Sequence, residues 1–298
     1  MASLHEKTEF FGFQFLKIPF SVLPRPICLA IGGALGSLIY RIDRKHRLIA
    51  LSNLKTAFGS QFSVAQQKEI AMSSFRHFGS VFADIIKVRH MKRGKVLRLL
   101  TIEGTEHLEK AVLKGKGVLI FSAHLGNWEM ATALVSQIGK VNVIARALDN
   151  RLLEKELLKI RKKLGANVIY KQQAARPILR ALEAKEIVAI LIDQNVVRNQ
   201  AVFVDFFGKP AATTPSLASF FLKTNAPIVP VFCYPVRKGK YHLKILQSLK
   251  ITVTDKEEQD VLKITQLCTK IIQNQIQENP NVWLWFHDRW KTRPEGEE

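Results

Sequence analysis

The sequence predicts an α/β fold built on a mixed, largely parallel sheet flanked by helices. Two observations carry this. Apolar runs of strand length recur at 118–122, 141–145, 167–170, 187–192 and 228–234, and helical patterns lie between most of them, at 127–138, 150–164, 176–184 and 214–224. Strands that are apolar on both faces and alternate with helices belong to parallel sheets covered on both sides. The last sheet segment, "YHLKILQSLKITVT" at 241–254, alternates more and predicts an antiparallel partner.

The elements follow in order. From Pro26 to Tyr40 the chain reads "PICLAIGGALGSLIY", with no charge. As a helix this spans roughly 22 Å, short of a bilayer core of about 30 Å. It predicts a membrane anchor, either a short distorted span or a helix lying in the interface. Arg41, Arg44, Lys45 and Arg47 follow directly, which places that side in the cytoplasm and against acidic headgroups. Ser63 with Gln66 forms a capping-box pattern. Beyond it Ala71, Phe75, Phe78, Phe82 and Ile85 recur at helical steps, predicting an amphipathic helix to about Val88. "TEHLEKAVLKGKG" at 105–117 reads as a helix stopped by glycine. Thr213 or Thr214, ahead of Pro215, predicts a helix start. A second capping box, Thr254 with Glu257, opens a last helix that stops before Pro280. The expected organisation is an anchor over residues 1–40 and one catalytic domain over 41–298.

Of the 298 residues, 47% are hydrophobic, enough to build a core and to exclude wholesale disorder. The net charge of +20 favours anionic partners, whether acidic lipid, a phosphorylated substrate, nucleic acid or an acidic protein. Cys28, Cys233 and Cys268 lie in apolar segments at spacings that match no metal pattern, so structural roles in a reducing compartment are expected. No metal site is expected. No aromatic–basic RNA motif or helix-turn-helix pattern accompanies the charge, so nucleic acid is not an expected partner.

The stretch "SAHLGNWEM", 122–130, follows the apolar run "GVLIF". On one helix His124 and Glu129 would point apart, five positions being 140° around the axis. They can meet only if His124 sits in the turn before the helix. Gly126 or Asn127 supplies an N-cap, Gly139 a stop, and Met130, Leu134, Val135 and Ile138 an apolar face. Glu129 then falls in the first helical turn, where the dipole favours its ionised form. A carboxylate holding one imidazole nitrogen leaves the other as a base facing the cleft at the carboxyl end of the sheet. Such a pair suits removal of a proton from a substrate hydroxyl that attacks an activated acyl group directly. Ser122 lacks the glycine elbow of an acyl-serine enzyme, so it is not read as a nucleophile. The spacing alone is weak: eight histidines and 25 acids in 298 positions give roughly one such pair by chance.

"SAHLGNWE" resembles the His-x4-acid motif of the lysophospholipid and glycerophosphate acyltransferase superfamily. More narrowly it is similar to the lipid A biosynthesis acyltransferases that add lauroyl or myristoyl chains. "IRKKLGANVIY", "ILIDQN", "VFVDFFGKPAATTPSLASF", "APIVPVF" and "VWLWFHDRWKTRPEG" follow in that family's order, and "HRLIALSNLKTAFG" fits after the anchor. The resemblance covers nearly the whole chain. It implies a glycerophosphate-acyltransferase-like fold with an apolar channel for the acyl chain, His124 as general base and Glu129 as its orienting partner. Arg161 and Asp193 stand at the family's downstream charged positions, near the acceptor or the oxyanion. Arg146 and Gln194 are further candidates for substrate contact.

The phospholipid branch carries Glu-Gly-Thr-Arg after the histidine motif. Here "EGTE", 103–106, lies before it and "DQN" stands downstream, which moves the reading toward lipid A precursors. The resemblance thus implies acyl transfer from acyl carrier protein or coenzyme A to a glycolipid hydroxyl. It implies no cofactor and no acyl-enzyme, with the chain on the cytoplasmic face of a bacterial inner membrane among membrane lipids. Two alternatives stand beside it: a lysophospholipid or phosphatidylinositol mannoside acceptor, and a basic peripheral membrane protein without catalysis.

Overall fold

The structure, a computed structural model, describes residues 4–296. Two helices, α1 (Leu4–Val22) and α2 (Arg25–Ile42), lead into α3 (Arg44–Phe58) and the long α4 (Val64–Val88). Then come α5 (Arg93–Leu97), β1 (Leu100–Glu103), α6 (Thr105–Leu113), β2 (Val118–Ser122), α7 (Trp128–Val135), β3 (Val141–Ala145), α8 (Arg151–Leu164) and β4 (Ala166–Tyr170). The chain closes with α9 (Ala175–Glu183), β5 (Ile187–Leu191), a hairpin of β6 (Val202–Phe206) and β7 (Lys209–Thr213), α10 (Ser216–Thr224), β8 (Ile228–Val236), β9 (Lys240–Ile245) and α11 (Glu257–Glu278).

Seven strands form one sheet in the order β1-β9-β8-β2-β5-β3-β4. From β8 to β4 every neighbouring pair is parallel, while β9 runs antiparallel to β8 and β1 parallel to β9. The five parallel strands are the five apolar runs of the sequence, and the alternating segment supplies the antiparallel strand. Each face of the sheet has its own core. Phe121, Val188, Ile190, Phe232 and the three C-terminal tryptophans lie on one side; Ile120, Val141, Ile187, Val231 and Met130 lie on the other. Cys28, Cys233 and Cys268 are buried and unpaired.

Several boundaries differ from expectation. The regular strand reaches only Ile245, although Leu246 and Leu249 N–H still donate to Pro230 O and Ile228 O of β8. No capping box forms at Thr254: its N and Oγ1 donate to the Asp260 carboxylate, and α11 starts three residues later. The box at Ser63 and Gln66 does form. The small β6–β7 hairpin, β1 and α1 carry no periodic pattern strong enough to have marked them.

The expected anchor corresponds to α2, and it is fastened to the rest of the molecule. Gly32 and Gly36 let its backbone approach α4 so closely that a Cβ on either would strike the backbone of Gly79 or Phe75. Arg25 donates from Nε and Nη2 to both oxygens of the fully buried Asp84 on α4, at 2.6 and 2.7 Å, and Tyr241 on β9 donates to the same carboxylate. The outer face of the two N-terminal helices is apolar and open to solvent, with Phe11, Phe15, Ile18 and Val22 each at least 65% exposed. By length and hydropathy α2 could cross a membrane.

Candidate active site

Strands β2 and β5 are neighbours in parallel register, with Ser122 opposite Leu191. Two residues beyond that pair on each strand stand His124 and Asp193, side by side at the carboxyl edge of the sheet. His124 Nδ1 meets Asp193 Oδ1 at 2.9 Å, and the His124 backbone N–H donates to Oδ2 at 2.9 Å. Trp283 Nε1 donates to the same Oδ2 at 2.8 Å. An ionised carboxylate only accepts, so Nδ1 is the nitrogen that donates to Asp193 and Nε2 is left unengaged by it. Burial pushes the Asp193 carboxyl up, but the pairing with His124 and the bond from Trp283 outweigh it and hold the group below its usual range. The imidazole packs against Trp128, ring centroids 4.8 Å apart.

The turn that presents His124 is fixed from three sides. Gly126 has φ of +63°, and its Cα faces the Cys233 carbonyl with no room for a Cβ, so both conformation and space require glycine. Its N–H donates to Val282 O, while Asn127 N–H donates to Cys233 O and Leu284 N–H to His124 O. From α4, His77 Nε2 donates to Gly126 O at 3.1 Å, and burial lowers the His77 pKa to about 4, so the ring is neutral near pH 7. The Asn127 side chain accepts from Met130 N–H and caps α7, as its sequence position predicts. The helix ends at Val135, short of Gly139.

The expected contact between His124 and Glu129 is not formed among the described residues. Glu129 is in the first turn of α7 but faces α8, where Arg161 chelates it: Nη2 donates to Oε1 at 2.6 Å, and Nε lies 3.1 and 3.2 Å from the two oxygens. Both side chains are nearly buried, at 6% and 13% exposure. Burial lowers the Arg161 pKa, but Glu129 more than offsets it and the net shift is upward. Arg161 Nη1 is buried without a partner among the described residues. Asp193, expected near the acceptor or oxyanion, is instead the residue that holds His124. The cause is register: parallel neighbours carry the residue after each strand to the same height, whereas a carboxylate on the following helix is turned to the next helix.

A cleft of about 400 Å³ opens in front of His124, bounded by Trp128, Arg146, Arg161, Lys171 and Gln194. Three expected substrate contacts thus share its wall. Arg146 is exposed and paired with Asp149 at 2.5 Å. Lys171, not anticipated, adds a further cation. Below the cleft a narrow apolar pocket of about 70 Å³ descends between α7 and the sheet, past Ile120, Val135, Val141 and Ala189. Trp128 and Arg161 belong to both, so the Glu129–Arg161 pair stands at the mouth between them. His287 lies behind the site: its Nε2 accepts from Asn195 N–H, and burial lowers its pKa. Trp283 and Trp285 are core residues, and Trp283 also donates to Asp193. No group of three or more potential metal ligands exists among the described residues.

The sequence pattern of the bacterial lipid A biosynthesis acyltransferases matches residues 2–292. The chain belongs to that family. It is an acyltransferase by that membership. It is 25% identical over 280 residues to the lipid A biosynthesis palmitoleoyltransferase of Escherichia coli (strain K12), covering 92% of this chain and 88% of that protein. It is 24% identical over 279 residues to the lipid A biosynthesis lauroyltransferase of the same organism, with the same coverage. It is also 26% identical over 225 residues to a phosphatidylinositol mannoside acyltransferase of Mycobacterium tuberculosis (strain CDC 1551 / Oshkosh), covering 73% of this chain and 69% of that protein.

Proposed function

We propose that the chain transfers a fatty acyl group from a thioester to a hydroxyl of a lipid A precursor, with His124 as general base oriented by Asp193. The observation that carries this is the protonated Nδ1 held by a buried carboxylate while Nε2 faces a cationic cleft beside an apolar pocket. The acceptor hydroxyl gives its proton to Nε2 as its oxygen attacks the thioester carbonyl. The tetrahedral oxyanion collapses, the C–S bond breaks, and the departing thiolate takes the proton back from Nε2. Arg161 and Arg146 are the cationic groups within the cleft for the oxyanion or a phosphate of the acceptor. The apolar pocket takes the end of the donor chain that lies next to the thioester, and the Glu129–Arg161 pair lines its mouth.

Acyl carrier protein is the proposed donor, since an acidic partner suits a chain of net charge +20; coenzyme A thioester shares that complementarity. The exposed apolar face of α1 and α2, with Arg41, Arg44, Lys45 and Arg47 beyond it, supports residence on the cytoplasmic face of the inner membrane. The glycine contacts and the Arg25–Asp84 pair that hold α2 along α4 support a helix lying on the bilayer with the body of the protein.

Reconstitution with acylated carrier protein and a lipid A precursor should yield a product heavier by one acyl group, and His124→Ala should abolish it. Product formation at the parental rate by folded His124→Ala would end this reading. The relatives named phosphatidylinositol mannoside acyltransferases favour one alternative acceptor, and offering both glycolipids with one labelled donor decides between them.

A further inference from the structure

An apolar groove of about 540 Å³ runs between α2 and α4. Leu35 and Ile39 form one wall, Phe78 and Phe82 the other, and Phe286 closes it from the C-terminal segment. The polar groups on its walls, Asp43 and His46, are paired with each other at 2.6 Å. Its inner end is close to the chemistry. Phe78 packs on Phe286 at 5.5 Å and on Trp128 at 6.0 Å, and Trp128 packs on His124 at 4.8 Å. Its outer lip merges with the exposed apolar surface, where Leu35, Leu38, Ile39 and Phe82 are 38–50% exposed.

We propose that this groove holds an acyl chain of the lipid acceptor, entering from the bilayer on which α2 lies, so that the headgroup hydroxyl passes over Trp128 to His124 Nε2. The proposal rests on the reading that the acceptor is a membrane lipid. Lipid tails are as apolar as the groove, so neither phase pulls on the chain. The groove instead removes an obstacle. A lipid lifted to reach a cleft above the headgroups would otherwise expose methylenes to water, each at a substantial cost. Arg41 in the last turn of α2, and Arg44, Lys45 and Arg47 just past it, flank Asp43 and His46 of the groove lining and attract an anionic headgroup there.

Photocrosslinking tests this without requiring turnover. The full chain, carrying Phe78→p-benzoylphenylalanine, is illuminated on vesicles of phosphatidylglycerol and phosphatidylcholine, and adducts are read by mass spectrometry. Phe15→p-benzoylphenylalanine, on the outer face of α1, reports simple docking. Adducts to acyl chains are expected at both positions. Adding Leu35→Phe, which fills the groove while keeping its face apolar, should lower the adduct at 78 by about fivefold, leaving that at 15 and vesicle co-sedimentation unchanged. If the probe at 78 prevents folding, Phe82→p-benzoylphenylalanine replaces it. An adduct at 15 with none at 78 or 82, or an inner adduct indifferent to Leu35→Phe, overturns the proposal. Adduct formation in a protein that acylates no glycolipid would overturn the reading of the reaction and leave the groove in place.

Discussion

Asp193→Asn tests which carboxylate serves the base. Asp193 accepts from His124 N, His124 Nδ1 and Trp283 Nε1. Asparagine keeps one carbonyl oxygen and sets an amide NH2 against at least one of those donors. At minimum one charge-assisted bond is lost, about 1.5–3 kcal/mol. At 1.36 kcal/mol per tenfold, that alone lowers kcat about 10- to 150-fold. If the amide nitrogen faces the imidazole, His124 must move its proton to Nε2, where the base is needed, and the loss extends toward the roughly 10²–10⁴ that a general base supplies. Single-turnover acyl transfer measures this free of product release. Glu129→Gln is the companion: it keeps a hydrogen bond to Arg161 and leaves the His124–Asp193 contact intact, so its effect on the chemical step should be about tenfold or less. Both proteins must first show cooperative unfolding near the parent. A rate within about threefold of the parent for Asp193→Asn, beside a loss beyond a hundredfold for Glu129→Gln, would refute the assignment and restore Glu129 as the orienting acid.

Gly126→Ala places a methyl group against the Cys233 carbonyl at φ of +63°, so it should destabilise the fold by roughly 2 kcal/mol or more, seen as a lowered thermal midpoint. His77 is depressed from 6.5 to about 4 by burial, so the unfolded chain binds its proton first; the stability present above pH 6.5 should fall as pH drops toward 4, by about 2 kcal/mol for a half-buried ring. Urea unfolding at pH 7 and pH 5 reads that slope, and His77→Gln should flatten it. Arg161→Met strands Glu129 in a buried site and should cost about 3–5 kcal/mol. The double substitution with Glu129→Gln should recover much of that loss, and strict additivity would show that the two side chains do not depend on each other.

The sheet was legible because parallel strands buried on both faces leave continuous apolar runs, and the runs at 118–122 and 187–192 match β2 and β5 to within a residue. The turn was legible because Gly126 and Asn127 have local reasons to be there. The partner of His124 was not, since spacing along the chain reports the following helix and says nothing of the strand beside it. A signal did exist. Both "VLIFSAH" and "IVAILID" are apolar runs that end in a titratable residue at the same offset from the strand start, and pairing them in register would have brought His124 to Asp193. Trp283 lay outside reach altogether, because its bond to Asp193 spans 90 residues and depends on how the C-terminal segment crosses the sheet edge. The N-terminal apolar helix was visible as apolarity, but its attachment through Gly32, Gly36 and Arg25 needed the coordinates of α4.

On the proposed mechanism the two acidic residues divide the work in a way that the shared motif conceals. A fatty chain will not settle beside a bare guanidinium, whose desolvation is expensive. With Glu129 chelating it, Arg161 presents a neutral pair at the pocket mouth, and its unpartnered Nη1 remains for a group that gains negative charge during reaction. A lysine there would place a compact, strongly hydrated charge without the planar fork, so Arg161→Lys should not substitute. The base, meanwhile, needs a carboxylate that no substrate displaces, and Asp193 is sealed by Trp283 on its inner side. In the proposed mechanism one acid tempers the pocket and the other aims the imidazole; exchanging their surroundings would spoil both tasks, because a fully buried Asp193 cannot reach Arg161 and a carboxylate on α7 cannot stay in register with His124.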